Sequence, residues 1–487
     1  MNQSIRDVLN SYANGTTVRS VVEQALGQIA AEDATYNAIR SLHDRDALLA
    51  EADQADARWQ AGTARMLEGV PIILKDNISV RGELTGAASK VLDGYRAPYD
   101  ATVTRKLREA GAIILGKGNM DEFAMGSSGE NSAYGATKNA IDPSRVAGGS
   151  SSGPAVAVAK NWVPVSIGTD TGGSVRLPAS FNGVVGFRPT YGRISRSGVI
   201  AMASSLDQIS PFTNTVADAA TMLEVLAGVD SLDQTTRPDF EPLDQLSETL
   251  GNVGSPRVAS FDGPADLKGL DPQVRELIVE IRARFVESLA GSSLTSYEAI
   301  VGETAAKDFL DLTLDTYYIL VPAEVSSNLA RYDGLRYGPK LDAASLIERY
   351  VQSRSQGFGS ESKRRTMLGT HVLSSGYADA YYKTALKARD YAQQEFAKVF
   401  ESVDVLMGPT SPTTAFKLGE KTNDPLTMYL SDLYAIPSNI AGACSISVPC
   451  GAVDGLPVGM QLIAAPGNER RLLQVAHAFE QFMQRAV

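Results

Sequence analysis

The reading of this chain turns on Gly148–Ser174, GGSSSGPAVAVAKNWVPVSIGTDTGGS. Both ends are glycine- and serine-rich turns, Gly148-Gly149-Ser150-Ser151-Ser152-Gly153 and Thr169-Asp170-Thr171-Gly172-Gly173-Ser174. Between them, Ala155–Ala159 reads as a helix or buried segment of small residues, and Val163–Gly168 as a strand feeding the second turn. Gly126–Gly153 is loop-rich throughout, with turn-prone Asp142-Pro143-Ser144 inside it. Such turns leave backbone N–H groups uncovered beside hydroxyls, which is where chemistry can sit.

Outward from this stretch the chain alternates helix and strand. Val70-Pro71-Ile72-Ile73-Leu74, closed by Lys75-Asp76-Asn77, is a buried strand ending in polar groups. A helical pattern over Thr102–Ala110 leads through Gly111 to the strand Ala112–Gly116, and Val18–Ile29 repeats apolar residues at helical spacing. That alternation predicts an α/β fold with a central sheet. Beyond it, the acidic, proline-bearing run DSLDQTTRPDFEPLDQ predicts a surface excursion over about 229–256. Arg257–Phe261 then reads as a strand, and Asp271-Pro272 as the cap and first turn of a helix burying Val274, Leu277, Ile278, Ile281 and Phe285. The segment from about 305 to 400 is mostly helical and rich in Tyr and Arg, with late strands at Ser445–Pro449 and Gly459–Ile463. No internal repeat is present, and one domain over 1–487 is expected.

With 487 residues, 44% of them hydrophobic and 21% charged, the composition excludes disorder. The 45 Lys+Arg against 56 Asp+Glu, net −11, argue against a surface that wraps nucleic acid by itself. The start, MNQSIRDVLNSYANGTT, is polar where a secretion signal is apolar, and the longest apolar runs are broken by Lys160 and Glu324, so neither export nor a membrane span is expected. Cys444 and Cys450 are too few for a disulfide framework or a thiolate zinc site. A soluble protein of the reducing cytoplasm is expected.

Three histidines, His43, His371 and His477, lack ligand-spaced partners, so no metal site is expected. Gly149-Ser150-Ser151-Ser152-Gly153 matches Gly-x-Ser-x-Gly, but a turn precedes it where a nucleophile elbow needs a strand. Gly116-Lys117-Gly118 lacks the rest of a phosphate-binding loop. What remains is a lysine at a strand end and hydroxyls on glycine turns. An apolar setting disfavours charged Lys75, a neutral lysine can serve as a base, and Ser–Lys pairs replace Ser–His in some hydrolases. The two glycines before Ser174 let backbone N–H groups converge on an oxyanion. On these grounds alone Lys75 can equally be a salt-bridged strand-end lysine, and Ser174 a helix N-cap.

Gly69 to about Asn214 resembles the amidase signature family, which carries a Ser-cisSer-Lys triad on a Gly-Gly-Ser-Ser-Gly-Gly loop and a Gly-Thr-Asp-x-Gly-Gly-Ser turn. Lys75 precedes Ser150 by 75 residues and Ser150 precedes Ser174 by 24, spacings similar to the family's. Ser152-Gly153-Pro154 stands where the family has Gly-Gly-Ser. The resemblance implies the amidase signature fold, a mixed central β-sheet covered by helices on both faces, with its signature core at about 69–214. It implies that Ser174 attacks an amide carbonyl and that Ser150, held by a cis peptide on one side or the other, relays the proton to Lys75. Thr171, Gly172, Gly173 and Ser174 would supply the oxyanion-hole N–H groups. Asp170 and Arg176 flank the turn and read as structural, bonding to backbone or to each other.

The resemblance extends almost end to end to the family's tRNA-dependent amidotransferase members. It runs through KGNMDEFAMGSSGENS (117–132), AEVSSNLARYDG (323–334), KRRTMLG (363–369), LSSGY (373–377), YLSD (429–432) and VPCG (448–451). It implies L-glutamine as the ammonia donor. A free amino acid needs a fixed cation for its carboxylate and a fixed anion for its ammonium. By resemblance these are Arg365, or its neighbour Arg364, and Asp432; either arginine can instead pair with a surface acid. The resemblance further implies a partner subunit that binds Glu-tRNA(Gln), or in some organisms Asp-tRNA(Asn), and uses ATP and Mg, with a small third subunit bridging the two. This chain itself would bind no cofactor. Two rivals remain: a stand-alone amidase of small amides, which needs neither partner nor Asp432, and a scaffold subunit without catalysis.

Overall fold

In the computed structural model, which describes residues 3–263 and 269–486, the β-branched runs form one 11-stranded mixed sheet. The strands are β1 (Ile39–Leu42), β2 (Pro71–Lys75), β3 (Ile113–Gly118), β4 (Val165–Asp170), β5 (Val185–Arg188), β6 (Gln208–Thr213), β7 (Arg257–Ser260), β8 (Ser293–Ser296), β9 (Val405–Pro409), β10 (Cys444–Val453) and β11 (Leu456–Ala464). Their order is β1-β3-β2-β4-β6-β5-β10-β11-β9-β7-β8. β2 lies parallel to both β3 and β4, and β7 is parallel to both β8 and β9; the other neighbours are antiparallel.

Successive side chains of a strand face opposite sides of its sheet, and here they enter two separate apolar cores. In β9 Val405 and Met407 join one core and Leu406 the other; Leu462 and Ile463 of β11 divide in the same way. The first core is closed by the helices Val18–Tyr36, Val216–Leu226, Pro272–Ser288 and Ser152–Ala159. Ala155, Val156, Ala157 and Val158 of the last are all fully buried, as a short helix apolar on every side must be. The second core is closed by Glu303–Asn328 and Tyr382–Ser402, two helices of the Tyr-rich segment, and Ser360–Val372 packs on the outside of Glu303–Asn328. Helices thus cover both faces of the sheet, as the family resemblance implies.

Element boundaries depart from those expected where apolar periodicity is a poor guide. The first long helix continues past Ile29 through two turns of exposed alanines and half-buried polar residues to Tyr36 and stops where Asn37 turns left-handed (φ 52). The strand expected at Val163–Gly168 runs instead from Val165 to Asp170, carrying two polar residues into the sheet. Leu277 is half-buried rather than core. The 229–256 excursion carries no helix or strand, yet Leu246 and Leu250 plug the first core and Arg470 holds the segment through the carbonyls of Pro242 and Asp244. Among the described residues no helix is long and apolar enough to cross a membrane.

Parallel strands end on the same edge of a sheet, and ligands of α/β folds bind beyond their carboxyl ends. Leu74 of β2 pairs with Ile167 of β4, so Lys75 emerges beside Gly168 and Thr169. The helix Ser152–Ala159 lies over the same strands and brings the first glycine turn to that edge.

Candidate active site

Lys75 ends β2 with no exposed surface, and its Nζ donates to Ser150 Oγ at 2.7 Å and Thr169 Oγ1 at 2.9 Å. Burial lowers its pKa to about 7 against the attraction of Asp121, Asp207 and Asp170, so near neutral pH a large share of the molecules carries it as an uncharged base. The peptide bond cis in this structure is Gly149–Ser150. Three contacts seat that bond. Gly149 N–H donates to Ser127 O (2.8 Å), Ser150 O accepts from Asp121 N–H (3.1 Å), and Ser151 N–H donates to Ser174 O (3.2 Å). Gly149 must be glycine: a Cβ there would stand 1.9 Å from Asp121 Oδ2.

The second turn hangs on one buried ion pair. Asp170, at the end of β4, accepts from Gly173 N–H (2.9 Å) and Val175 N–H (3.1 Å), and pairs with Arg176 at 3.0 Å and Arg188 at 3.6 Å. Burial alone would push its carboxyl up, but the two guanidiniums hold it well below the usual carboxylate range. Arg176 also donates to Ala435 O, Ser438 Oγ and Gln461 Oε1, tying the turn to the far strands. Asp170 and Arg176 therefore frame the turn by bonding both backbone and each other.

This framing narrows the expected oxyanion donors. The Gly173 N–H is already engaged by Asp170 and does not fit a free donor, whereas those of Thr171, Gly172 and Ser174 have no partner among the described residues. The Ser174 hydroxyl likewise makes no hydrogen bond to the described residues. Lys75 and Ser150 are in contact, but the bond between the two turns runs from Ser151 N–H to Ser174 O, and the Ser150 and Ser174 hydroxyls are not hydrogen-bonded to each other; catalytic bonds are often long in the absence of substrate. Thr171 Oγ1 is anchored to Asp207 at 2.7 Å, and a Cβ on Gly172 would stand 2.6 Å from the Tyr317 hydroxyl, so Tyr317 packs directly over the turn.

A pocket beside the turn is lined by Ser127, Ser128, Asn131, Glu361, Arg365 and Tyr429. Asp432 lies behind the pocket wall, against Ser127. It accepts a hydrogen bond from Ser127 Oγ, its Oδ1 lies 3.6 Å from where a Gly173 Cβ would be, and burial lifts its pKa to about 7. The two arginines differ in orientation: the Arg365 side chain is 3% exposed and the Arg364 side chain 42%, and both pair with Glu361. Arg365 lies over the rings of Tyr318 and Tyr429, spends its Nε on Glu361 (2.7 Å), and leaves its terminal nitrogens without partners among the described residues. The site thus gathers a buried cation and a carboxylate in the region beside the turn that carries Ser174. Asp121, Ser127, Thr169 and Tyr317 join it without having been expected from the sequence. Of these only Thr169 lies in one of the two glycine turns, and Tyr317 is brought in by a helix more than a hundred residues away in sequence.

Among the described residues no cluster of His, Cys, Asp or Glu could hold a metal ion. Residues 20–473 match the amidase family. Over 464 residues the chain is 47% identical to the A subunit of glutamyl-tRNA(Gln) amidotransferase from Geobacter metallireducens, covering 94% of this chain and 92% of that one. It superposes on the crystal structure of the A subunit of glutamyl-tRNA(Gln) amidotransferase from Thermotoga maritima with a TM-score of 0.75 at 36% identity, covering 96% and 95% of the two chains. On the native peptide amidase of Stenotrophomonas maltophilia the TM-score is 0.81 at 29% identity, over 99% and 97%.

Proposed function

The chain belongs to the amidase family, and from that premise we propose that it is the glutamine-hydrolysing subunit of a tRNA-dependent amidotransferase. The observation that carries this reading is a buried cation, Arg365, and a carboxylate, Asp432, both gathered about Ser127 beside the turn that bears Ser174, since a general amidase acting on neutral amides has no use for a fixed cation and anion near its nucleophile. The near full-length identity to amidotransferase subunits supports the same choice. The fold does not discriminate, because peptide amidase shares it.

In this mechanism Asp432 and Arg365 hold the ammonium and carboxylate of L-glutamine, and the side-chain carbonyl oxygen points at the N–H groups of Thr171, Gly172 and Ser174. Ser174 Oγ bonds to the amide carbon while its proton passes through Ser150 Oγ to neutral Lys75. The tetrahedral oxyanion collapses, the C–N bond breaks, and the proton returns by the same relay to the leaving nitrogen, which departs as ammonia. Water then attacks the γ-glutamyl ester by the reverse relay and frees glutamate and Ser174. The ammonia serves a partner subunit that amidates Glu-tRNA(Gln), or Asp-tRNA(Asn), after ATP-dependent activation; ATP and Mg belong to that partner, as does tRNA affinity, consistent with the acidic charge here. A cytoplasmic complex is the setting this requires.

The test is ammonia release from L-glutamine by the purified chain, alone and with partner subunits plus Glu-tRNA, with Ser174→Ala as control. Ser174-dependent release stimulated by partners supports the reading. Turnover of simple amides but not glutamine refutes it in favour of a stand-alone amidase, and no turnover with any substrate or partner leaves a scaffold.

A further inference from the structure

Asp121 and Glu122 are adjacent, both buried, and serve different parts of the site. Asp121 faces the triad: its N–H holds the Ser150 carbonyl, and its carboxylate accepts from Gly129 N–H (3.0 Å) and Asn131 N–H (2.8 Å). Glu122 faces the helix Ser360–Val372. Its carboxylate accepts from Ser89 Oγ (2.5 Å), from Gly359 N–H (2.8 Å) at the helix N-cap, and from Ser362 Oγ in the first turn. Phe123 (φ 50) and Ala124 (φ 62) then adopt left-handed backbone, and the Phe123 ring packs 5.6 Å from Phe358 and 5.0 Å from Tyr332. A carboxylate at a helix N-terminus is stabilised by the unsatisfied N–H groups there.

That helix carries Arg365, three residues after Ser362 and so on the same side of it. Glu361 also grips Arg365, but from within the helix, and Tyr429 joins them from the pocket wall. Glu122 is different because it reaches the helix from the residue next to the one that seats Ser150. The geometry points to Glu122 as a positioning residue that fixes the Arg365 helix against the triad, so that it governs recognition of the amino-acid end of the substrate and not the acyl-transfer step. The inference rests on the function proposed above for the identity of the substrate; the attachment of the helix stands apart from it.

Glu122→Gln keeps the volume and an acceptor oxygen, and Ser362→Ala removes one donor on the helix side, so the second remains informative where the first folds poorly. Both are compared with the wild-type chain in KM and kcat for L-glutamine, in turnover of a neutral simple amide, and in amide hydrogen exchange over residues 359–365. The expected result is a KM for glutamine raised about tenfold with kcat within about twofold, simple-amide turnover unchanged, and faster exchange over 359–365. An unchanged KM in both variants, or glutamine and simple-amide kcat falling together, overturns the inference. If the wild-type chain does not hydrolyse glutamine, the functional reading fails separately, and exchange alone decides the attachment: unchanged protection in both variants refutes it.

Discussion

Two groups in this site must lose a proton to work, and they act at different stages, so the pH dependence of glutamine hydrolysis separates their roles. Lys75, lowered to about 7 by burial, must be neutral to accept the serine proton; Asp432, raised to about 7 by burial, must be ionised to hold the substrate ammonium. With both values near 7, each group is in its working form in roughly 9% of molecules at pH 6 and roughly 91% at pH 8. In free enzyme both conditions must be met, so kcat/KM for glutamine rises roughly a hundredfold between pH 6 and pH 8. Once bound, the ammonium keeps Asp432 ionised, so only Lys75 limits kcat, which rises roughly tenfold. A neutral amide without an ammonium shows the roughly tenfold rise in both parameters. Of the other charged groups facing Lys75, Asp121 is raised by burial to about 6 and so titrates at the acid end of this range, Asp207 is also raised by burial, and Asp170 stays ionised throughout. The assay is coupled ammonia release from two units below pH 8 to just above it. Identical slopes in kcat and kcat/KM for glutamine, or a steep kcat/KM limb that survives Asp432→Asn, refute the assignment.

Other outcomes follow from the same geometry. Lys75→Ala and Ser174→Ala each lower glutamine turnover by at least about a thousandfold, and the double variant is no worse than either single one, because the residues act as a unit; steady-state kinetics on the three proteins checks this. Gly172→Ala drives a methyl into the buried Tyr317 ring, so the ring or the turn must shift, and kcat falls by at least about tenfold as an oxyanion donor is displaced; steady-state kinetics checks this. Asp170→Ala strands Arg176 and Arg188 in the interior and costs about 3–5 kcal/mol in denaturant unfolding. Because the Asp170 carboxyl is lower folded than unfolded, its contribution is full at neutral pH and fades as pH falls below the unfolded value toward the folded one.

The legible part of this molecule lies where chemistry and local sequence coincide. Lys75 at the end of an apolar strand and two glycine turns around Ser150 and Ser174 state their role within short windows, and the edge on which they meet follows from β2 and β4 being parallel. The substrate pocket is less legible because it is assembled across the chain: Ser127, Tyr317, Arg365 and Asp432 come from four separate segments, and no spacing rule joins them. The choice between Arg364 and Arg365 depends on which side of a helix faces inward, a tertiary fact. The occupied N–H of Gly173 is hidden for another reason, since an acidic residue three positions earlier reads equally well as a flanking ion pair or as a backbone cap. Strands as short as β1 and β8, four residues each, the first half-buried and the second largely exposed, leave almost no apolar signature.

Everything proposed for this site depends on Ser174 forming a γ-glutamyl ester with glutamine. Mass spectrometry of the intact chain, acid-quenched during turnover of L-glutamine and then digested, looks for that ester itself. A γ-glutamyl adduct is expected on the peptide containing Ser174, absent in Ser174→Ala and discharged when hydroxylamine is added. Continued ammonia release by Ser174→Ala, or an adduct on any other residue, would show that the nucleophile lies elsewhere.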